Sequence, residues 1–169
     1  IKYVGSGGTN CGNTAWQCTL VVDDVNVSSA VEADSDITVD KDNNIWAAYQ
    51  DISVADYSLR VAKYVGSGGT GCNDTAWTCT LVDSATGDEL GSNITMGTDK
   101  SGYPVVVYGT AGVAGTFNDL RFARYVGSGG SGCDSSAWDG CETIYAKNGA
   151  GRQMSLTFDG NGLAWVVYR

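Results

Sequence analysis

The chain of 169 residues contains no His and only one Pro, and acidic residues outnumber basic ones. Because His is the most common general base in enzymes, its absence excludes the usual Ser-His-Asp and Cys-His arrangements. There are 10 Lys and Arg against 19 Asp and Glu, so the formal net charge is -9 and no basic stripe could follow a nucleic acid backbone. No stretch approaches the roughly 18 apolar residues of a membrane-spanning helix. We therefore expect neither nucleic acid binding nor membrane insertion.

Gly, in contrast, is abundant, with 24 residues, and much of it lies in one repeated phrase. The six residues Tyr-Val-Gly-Ser-Gly-Gly begin at Tyr3, Tyr64 and Tyr125, at intervals of 61 residues. No Gly-Lys-Ser or Gly-Lys-Thr follows the phrase, so it does not indicate a nucleotide-binding loop. A fixed period of this length is typical of repeat architectures. The predicted repeat units are 3–63, 64–124 and 125–169.

Each unit contains short runs of β-branched and aromatic residues bounded by Asn, Asp and Gly, a pattern that predicts strands. In the first unit these runs are AWQCTLVV, DITVD, NIWAAYQ and LRVAKYV. The second and third runs are joined by a hairpin-like turn that begins at Asp40, Asp99 and Asp159 in the three units. Four antiparallel strands that recur at a fixed period are typical of a β-propeller blade. The sequence therefore predicts one all-β repeat domain over residues 1–169, with three repeats of about 61 residues.

The order of these motifs resembles the repeats of bacterial secreted β-propeller proteins over the whole chain. The resemblance is carried by YVGSGGTGC, then AWTC, then the turn and strand DKSGYPVVVY, and finally DLRFARYVG, which leads into the next Gly-rich phrase. The turn is also similar to the Asp-box of sialidase-like propellers, in which Asp, Gly and an aromatic residue recur on each blade. The resemblance implies a secreted propeller fold, and it keeps a fragment of a sialidase-like glycoside hydrolase or lyase among the functions to consider.

The repeat units are out of step with the ends of the chain, because Ile1 aligns with the fourth run of a unit and Arg169 follows a third run. We interpret the chain as processed or partial on this pattern. Propellers close with about 4 to 8 blades, so three units are expected to belong to a larger propeller or assembly. We expect residues 1–4 to be the outer strand that completes a blade, either in this chain or in a neighbouring copy by strand addition.

The six Cys form three local pairs, with six or seven residues between the members of each pair. Zinc binding is one alternative, but structural zinc sites use closer spacings and often His, which the chain lacks. The pattern favours one disulfide per repeat. Since disulfides persist in oxidising compartments, we expect an extracellular, secreted protein. The predicted disulfides are Cys11–Cys18, Cys72–Cys79 and Cys133–Cys141.

Calcium is the one cofactor that the sequence suggests, because Asp40 and Asp42 alternate in a turn that is rich in side-chain oxygens. Hydrogen bonds from the turn backbone to Asp40 explain the same pattern without a metal. The Trp of each AW motif is either a stacking platform for glycans or a residue that packs against its disulfide and the adjacent blade. Three sequons for N-glycosylation also occur. The Trp residues are Trp16, Trp77 and Trp138, and the sequon residues are Asn26, Asn73 and Asn93.

Most acidic residues lie in turns or recur in every unit, as structural residues do, and no catalytic residue is predicted. A carboxylate pair for glycoside hydrolysis would have to come from the acids that do not recur. We therefore expect a non-catalytic extracellular structural protein that self-associates, as a subunit of a filament or a surface layer. The alternative is an extracellular propeller module that binds glycans or a surface. The acids that do not recur are Glu32, Asp51, Asp56, Asp88, Glu89 and Glu142.

Overall fold

The computed structural model describes residues 1–21, 34–52, 57–84, 88–112, 116–146 and 153–169. Within these ranges the regular structure consists of strands, and no helix there is long and apolar enough to cross a membrane. The strands are β1 (Lys2–Tyr3), β2 (Trp16–Gln17), β3 (Ser35–Val39), β4 (Ile45–Asp51), β5 (Ser58–Tyr64), β6 (Trp77–Ser84), β7 (Asp88–Thr98), β8 (Pro104–Gly112), β9 (Thr116–Tyr125), β10 (Trp138–Ala146), β11 (Ser155–Phe158) and β12 (Ala164–Val167).

The strands form antiparallel sheets in which neighbours in the sheet are also neighbours in the chain. Two sheets have four strands, in the orders β3-β4-β5-β6 and β7-β8-β9-β10, and two sheets have two strands, β1-β2 and β11-β12. The prediction of an all-β chain with four-stranded antiparallel sheets is confirmed. The described residues do not form a closed ring of blades, so the propeller arrangement stays a prediction.

The strand that carries the AW motif belongs to a different sheet from the one expected. The sequence predicts it as the first strand of its own unit, whereas the structure pairs it with the strand before it, so that Tyr64 lies opposite Trp77. The Gly-rich phrase is therefore a connection within one sheet, closed by a hydrogen bond from Val65 N to Ala76 O. Consecutive strands pair with each other more often than with distant ones, which favours this arrangement. The four-stranded sheets consequently span residues 35–84 and 88–146, offset from the sequence units.

The two-stranded sheets correspond to complementary halves of a four-stranded sheet. By sequence alignment, β1 is equivalent to the third strands β5 and β9, and β2 to the fourth strands β6 and β10. In the same way, β11 and β12 are equivalent to the first and second strands. Residues 2 and 3 form β1, which pairs with β2, with Tyr3 opposite Trp16. The expectation that residues 1–4 complete a blade as its outer strand stays a prediction.

The main hydrophobic core lies between the two four-stranded sheets. In β8, the side chains of Val106, Val107 and Tyr108 are fully buried, because both faces of this inner strand are covered. The residues of this core cluster come from β4 to β10, and those of one strand lie on one face of it, as Trp46 and Ala48 do on β4. They are Trp46, Ala48, Leu59, Val61, Val82, Ile94, Met96, Val106, Tyr108, Ala123, Trp138 and Cys141.

Successive sheets are joined by the same kind of contact each time. The backbone N–H of Asn93 donates to Asp34 Oδ2 at 2.5 Å, and the N–H of Gln153 donates to Asn93 Oδ1 at 3.1 Å, so equivalent positions are linked in series. The Asp turns of neighbouring sheets also stack closely, since a Cβ on Gly102 would overlap the side chain of Lys41. The relation between the first and second four-stranded sheets is thus repeated between the second sheet and β11-β12.

The last Gly of the repeated phrase is required because two backbone segments approach each other closely. A Cβ on Gly69 would overlap the backbone oxygen of Trp77, and the equivalent overlap occurs at Gly8 and Gly130. The Gly-rich loop therefore packs its own backbone against the start of the fourth strand. This contact explains why the same Gly appears in all three copies of the phrase.

Gly69→Ala is expected to lower the free energy of unfolding by about 1–3 kcal/mol, because the loop or β6 must shift to admit the methyl group. Gly160→Ala is the matched control: a Cβ there meets no atom within 4 Å, and Lys41 occupies the equivalent position in the first four-stranded sheet. The control should change the free energy of unfolding by less than about 0.5 kcal/mol. Chemical denaturation followed by Trp fluorescence measures both variants, and equal stabilities would contradict the explanation by close approach.

Candidate functional site

The three disulfides predicted from the sequence are formed. Each one closes the Gly-rich loop that precedes the fourth strand of a sheet. All six Cys are used, so none is left as a free nucleophile or metal ligand. Disulfides of this number are typical of a protein from an oxidising compartment. The bonds join Cys11 to Cys18, Cys72 to Cys79 and Cys133 to Cys141, with Cα–Cα distances of 5.3, 5.2 and 5.0 Å.

The disulfide loops also hold neighbouring sheets together. The backbone N–H of Asn73 donates to Val21 O at 3.0 Å, so the loop of the first four-stranded sheet contacts the segment that follows β2. In the same way, the N–H of Asp134 donates to Val82 O at 3.0 Å, from the second four-stranded sheet to the first. The second and third loops are thus fixed both within their own sheets and to the sheet before. This double attachment gives the repeated phrase a structural role.

The Trp residues of the AW motifs differ in their exposure. Trp77 and Trp138 are buried, and Trp77 lies edge to face against Tyr64 with 5.2 Å between ring centroids. Burial leaves little of these two rings accessible from the surface, where a sugar would stack. Trp16 makes the same contact with Tyr3, at 5.1 Å, but it is 41% exposed. Of the three candidates for glycan stacking, Trp16 is therefore the one with an accessible ring.

The sequon residues lie in different environments. Asn73 is exposed in a disulfide loop. Asn93 is half-buried, and its Oδ1 accepts the hydrogen bond from Gln153, so its amide is already engaged between sheets. Asn26 lies outside the described residues. Glycosylation stays a prediction, and Asn73 is the position that best fits it.

Asp40 holds its turn through both carboxylate oxygens. Its Oδ1 accepts hydrogen bonds from the N–H groups of Asp42 and Asn44, each at 2.9 Å. Its Oδ2 accepts from Asn44 Nδ2 at 2.8 Å and from Trp46 Nε1 at 2.9 Å. Burial acts to raise the pKa of Asp40, but the hydrogen bonds to its ionised form outweigh burial and lower the pKa. The carboxylate therefore stabilises the turn as an anion.

The other two turns use their Asp in related ways. Asp159 Oδ1 accepts from the N–H of Leu163 at 3.0 Å and Oδ2 accepts from Trp165 Nε1 at 3.3 Å. The bond from Leu163 is the main cause of the lowered pKa of Asp159. In the unit that lacks this Trp, Asp99 instead forms an ion pair with Arg124 at 2.5 Å. A Trp or an Arg thus satisfies the same carboxylate oxygen.

The carboxylates that suggested calcium are engaged with protein groups. N–H donors surround Asp40, and Asp42 pairs with Lys41 at 2.8 Å on the surface. Among the described residues, no cluster of three or more His, Cys, Asp or Glu is placed to hold a metal ion. The hydrogen bonds explain the turn without a cation, and calcium binding stays a prediction.

The acids that do not recur are dispersed where the structure describes their side chains. Asp51 pairs with Arg60 at 2.5 Å on the first four-stranded sheet. Glu142 is exposed on β10 of the second four-stranded sheet. These two carboxylates therefore do not face each other as a catalytic pair would. Asp88 and Glu89 lie in β7 with side chains outside the described set, and Glu32 and Asp56 lie outside the described residues.

A buried polar network joins the two four-stranded sheets, and the sequence analysis did not identify it. Asp83 of β6 accepts a hydrogen bond from Tyr108 Oη of β8 at 2.5 Å and pairs with Arg121 of β9 at 2.7 Å. Arg121 also donates to the backbone oxygen of Cys141. Burial raises the pKa of Asp83 although Tyr108 and Arg121 act to lower it, and burial also raises the pKa of Tyr108. The only signal in the sequence is a lone Asp at the end of the apolar run TLVD.

Most of the exposed large apolar side chains lie near the two ends of the described chain, on the two-stranded sheets and on the outer sides of the sheets next to them. They form two groups, which we name for their position along the chain. Contiguous exposed apolar surface is typical of an interaction site. The leading face consists of Ile1, Tyr3, Trp16 and Ile37, and the trailing face consists of Ile144, Trp165 and Val167.

The residues of the trailing face are equivalent to residues that are buried in the four-stranded sheets. Trp165 is 61% exposed, whereas its counterpart Trp46 is 4% exposed. Ile144 is 46% exposed, whereas its counterpart Val82 is fully buried. The side chains that cover Trp46 and Val82 belong to the next sheet. The trailing face therefore has the composition of a sheet-to-sheet interface whose second sheet is not among the described residues.

Comparison of the chain with protein-family models, with curated proteins and with solved structures finds no match. The site is therefore defined by the chain's own residues. Its disulfides and Asp turns are engaged in holding the sheets, and its two apolar faces are not covered. Such an arrangement can pair strand edges and bury apolar side chains.

Proposed function

We propose that the chain is a non-catalytic, secreted structural protein that assembles with further copies of itself through the leading and trailing faces. The observation that carries the proposal is the exposure of Trp165 and Ile144, whose counterparts Trp46 and Val82 are core residues. Residues selected to be buried are costly to expose, because each large apolar side chain gains about 1.5–3 kcal/mol from burial. The assembled form is a filament or surface layer built from propeller-like sheets.

Unpaired strand edges support the same proposal. Among the described strands, β1 pairs with β2 alone and β12 pairs with β11 alone, whereas their counterparts have a neighbour on each side. An open edge offers a row of unpaired N–H and C=O groups to another chain. Addition of a strand from another copy would satisfy these groups.

The polar groups of the chain support a structural role more than a catalytic one. The Asp turns accept hydrogen bonds from their own loops, the buried network of Asp83 joins two sheets, and the disulfides close each loop. These groups are satisfied by protein partners and are not presented to a ligand. Three disulfides support a location outside the reducing cytosol.

Electron microscopy of the purified, non-reduced chain tests the proposal. We expect elongated or regular particles that contain many copies and become longer as the concentration rises, because the copy at each end of a head-to-tail assembly keeps one face free for a further copy. Particles that stay at the size of one 17.6 kDa chain at every concentration would contradict the proposal.

Binding of glycans is the second candidate, and the surroundings of Trp16 favour it. The exposed ring of Trp16 borders an open depression of about 640 Å³ that is also lined by Asn10 and Asn13. An aromatic ring beside amide groups can stack a sugar and hydrogen-bond its hydroxyls. A glycan microarray probed with the chain and with Trp16→Ala tests this candidate. Binding that is lost in the variant would favour a glycan-binding module.

A further inference from the structure

The environment of Trp46 shows how one sheet binds the next. Trp46 lies in β4, and the ammonium of Lys63 on the neighbouring strand β5 is 5.0 Å from the centroid of its ring. On the other side, the ring contacts Tyr125 and Trp138 of the next sheet, at 4.6 and 6.3 Å between centroids. Trp46 is thus held between a cation of its own sheet and two aromatic rings of the following one.

An empty cavity occupies the equivalent position one sheet earlier. It has a volume of about 180 Å³, which is large enough for an indole ring, and it lies between β1-β2 and the first four-stranded sheet. Six of the residues that line it are the repeat equivalents of residues around Trp46. These six are Lys2, Val21, Ile37, Ala47, Tyr64 and Trp77. Their counterparts are Lys63, Val82, Met96, Val106, Tyr125 and Trp138.

Trp165 is the residue of the chain that matches this cavity. It follows Asp159 by six residues, as Trp46 follows Asp40, and each indole N–H donates to the Asp of its turn. Unlike Trp46, it projects from a two-stranded sheet and is 61% exposed. The cavity is lined like the site of Trp46 but contains no indole ring. Trp165 supplies an indole ring that is not surrounded by such residues.

The cation opposite this position supports the match. In the first unit, Trp46 lies opposite Lys63. In the second unit, Val105 lies opposite Arg124, which pairs with Asp99 and lies over the ring of Tyr103, 5.3 Å from its centroid. The residue opposite Trp46 is thus a Lys, and the residue opposite Val105 is an Arg. Lys2 at the equivalent position of β1 therefore fits a Trp, and Trp165 supplies one.

We propose that Trp165 of one copy inserts into the cavity beside Lys2 of the next copy. This inference rests on the proposed function, because it specifies the contact through which the copies assemble. In this junction β12 pairs antiparallel with β1 of the next copy, with Trp165 opposite Lys2 and Val166 opposite Ile1. The two half-sheets then form one four-stranded sheet in the order β11-β12-β1-β2, which is the order of the two complete sheets.

A second contact follows from the same geometry. The disulfide loops of the four-stranded sheets donate from Asn73 to Val21 and from Asp134 to Val82. Gly12 has the equivalent position in the first loop, and the equivalent acceptor on the trailing face is the backbone oxygen of Ile144. The junction thereby covers Ile144 as well as Trp165. Because the two contacting faces differ, each of the two joined copies keeps its other face free for a further copy, and the assembly grows head to tail.

Mixed-disulfide formation tests the junction directly. Lys2→Cys and Trp165→Cys are prepared as separate proteins, mixed and oxidised. Residues directly opposite in an antiparallel pair have Cα atoms about 4.5–5.5 Å apart, within the range that a disulfide spans. We expect a cross-linked dimer in which the two introduced thiols are bonded to predominate in the mixture over self-linked dimers of either protein. Val65→Cys replaces Lys2→Cys in the control, since Val65 is exposed but lies on a complete sheet, and its yield with Trp165→Cys should be much lower.

Association of Trp165 variants gives a second readout. Trp165→Ala should weaken self-association by at least about 30-fold, as expected for a buried aromatic anchor, whereas Val65→Ala should change it by less than about 2-fold. Trp165→Phe should weaken self-association less than Trp165→Ala does. Large particles that persist in Trp165→Ala, together with no bond between the thiols introduced at positions 2 and 165, would overturn the junction and leave the proposed function standing. A third protein carries both Lys2→Cys and Trp165→Cys in one chain. A bond that forms within this chain, without dimers, would overturn the second copy as the occupant.

Discussion

Replacement of Trp46 by Ala is expected to lower the free energy of unfolding by about 3–5 kcal/mol. The side chain is almost fully buried between the two four-stranded sheets and contacts Tyr125 and Trp138. Its truncation leaves a cavity at that contact and removes the indole N–H that donates to Asp40. The loss of stability therefore has two parts, the lost packing between the sheets and the lost hydrogen bond of an Asp turn. It should appear as a lower denaturation midpoint.

Two further variants separate these contributions. Trp46→Phe keeps an aromatic ring and removes the N–H, so it should cost less than Trp46→Ala, with a hydrogen-bond part of about 0.5–1.5 kcal/mol. Trp165→Ala is the matched control, because the same residue type at the equivalent position is exposed. In dilute solution it should change the free energy of unfolding by less than about 1 kcal/mol. A similar loss in Trp46→Ala and Trp165→Ala would contradict the assignment of the core.

Removal of the buried carboxylate in Asp83→Ala is expected to cost about 3–5 kcal/mol. Asp83 joins β6 to the second four-stranded sheet through Tyr108 and Arg121, and its side chain is 7% exposed. Without it, a buried phenol and a partly buried guanidinium lose their partner at the contact between the sheets. Chemical denaturation at neutral pH measures the loss.

Asp42→Ala is the control for this charge pair. Asp42 pairs with Lys41 at a similar distance, but both side chains are exposed, so the ion pair is expected to contribute about 0–1 kcal/mol. A loss in Asp83→Ala no larger than in Asp42→Ala would show that the network does not hold the sheets together.

The pH dependence of Asp83 has a defined sign. Because burial raises its pKa in the folded chain, the unfolded chain releases this proton at a lower pH. The free energy of unfolding therefore falls as the pH rises from the ordinary pKa of Asp to the raised pKa of Asp83 in the folded chain. Asp83→Asn should remove this part of the pH dependence. Asp40 and Asp159 act in the opposite direction, since their lowered pKa values give stability that is lost as the pH falls through the folded pKa.

Local features of the fold could be predicted from the sequence. The strands follow from short β-branched and aromatic runs, and the hairpin turns follow from an Asp whose carboxylate accepts hydrogen bonds from residues two and four positions later. The disulfides were predictable because Cys72 and Cys79 are close in the chain and recur with the repeat. Each of these features depends on residues within about one strand and one turn of each other.

Features that depend on contacts between distant segments could not be predicted. The strand of Trp77 follows a Gly-rich loop that fits either a connection within a sheet or a crossing to the next one, and the sequence alone did not distinguish them. The pairing of Asp83 with Arg121 and Tyr108 joins strands of two different sheets. Tyr108 and Arg121 have counterparts in Tyr49 and Arg60, but Asp83 has no acidic counterpart, so the repeat does not reveal which of these residues pair.

The exposure of the trailing face differs from the burial of the equivalent residues in the four-stranded sheets, and only the repeat alignment and the structure together show this difference. The sequence shows that Trp165 corresponds to Trp46, and the structure shows that one is exposed and the other is buried. The cavity beside Lys2 is lined by counterparts of residues around Trp46, and we propose that it accepts Trp165 of another copy. The central claim is therefore that this chain completes its sheets with another copy of itself.

Sedimentation velocity over a wide range of concentration tests this claim most directly. The chain alone has a mass of 17.6 kDa, so any larger species is resolved from it. We predict species of increasing mass as the concentration rises, and their loss in Trp165→Ala at concentrations where the wild-type chain is assembled. A single species of 17.6 kDa at every concentration would contradict the claim.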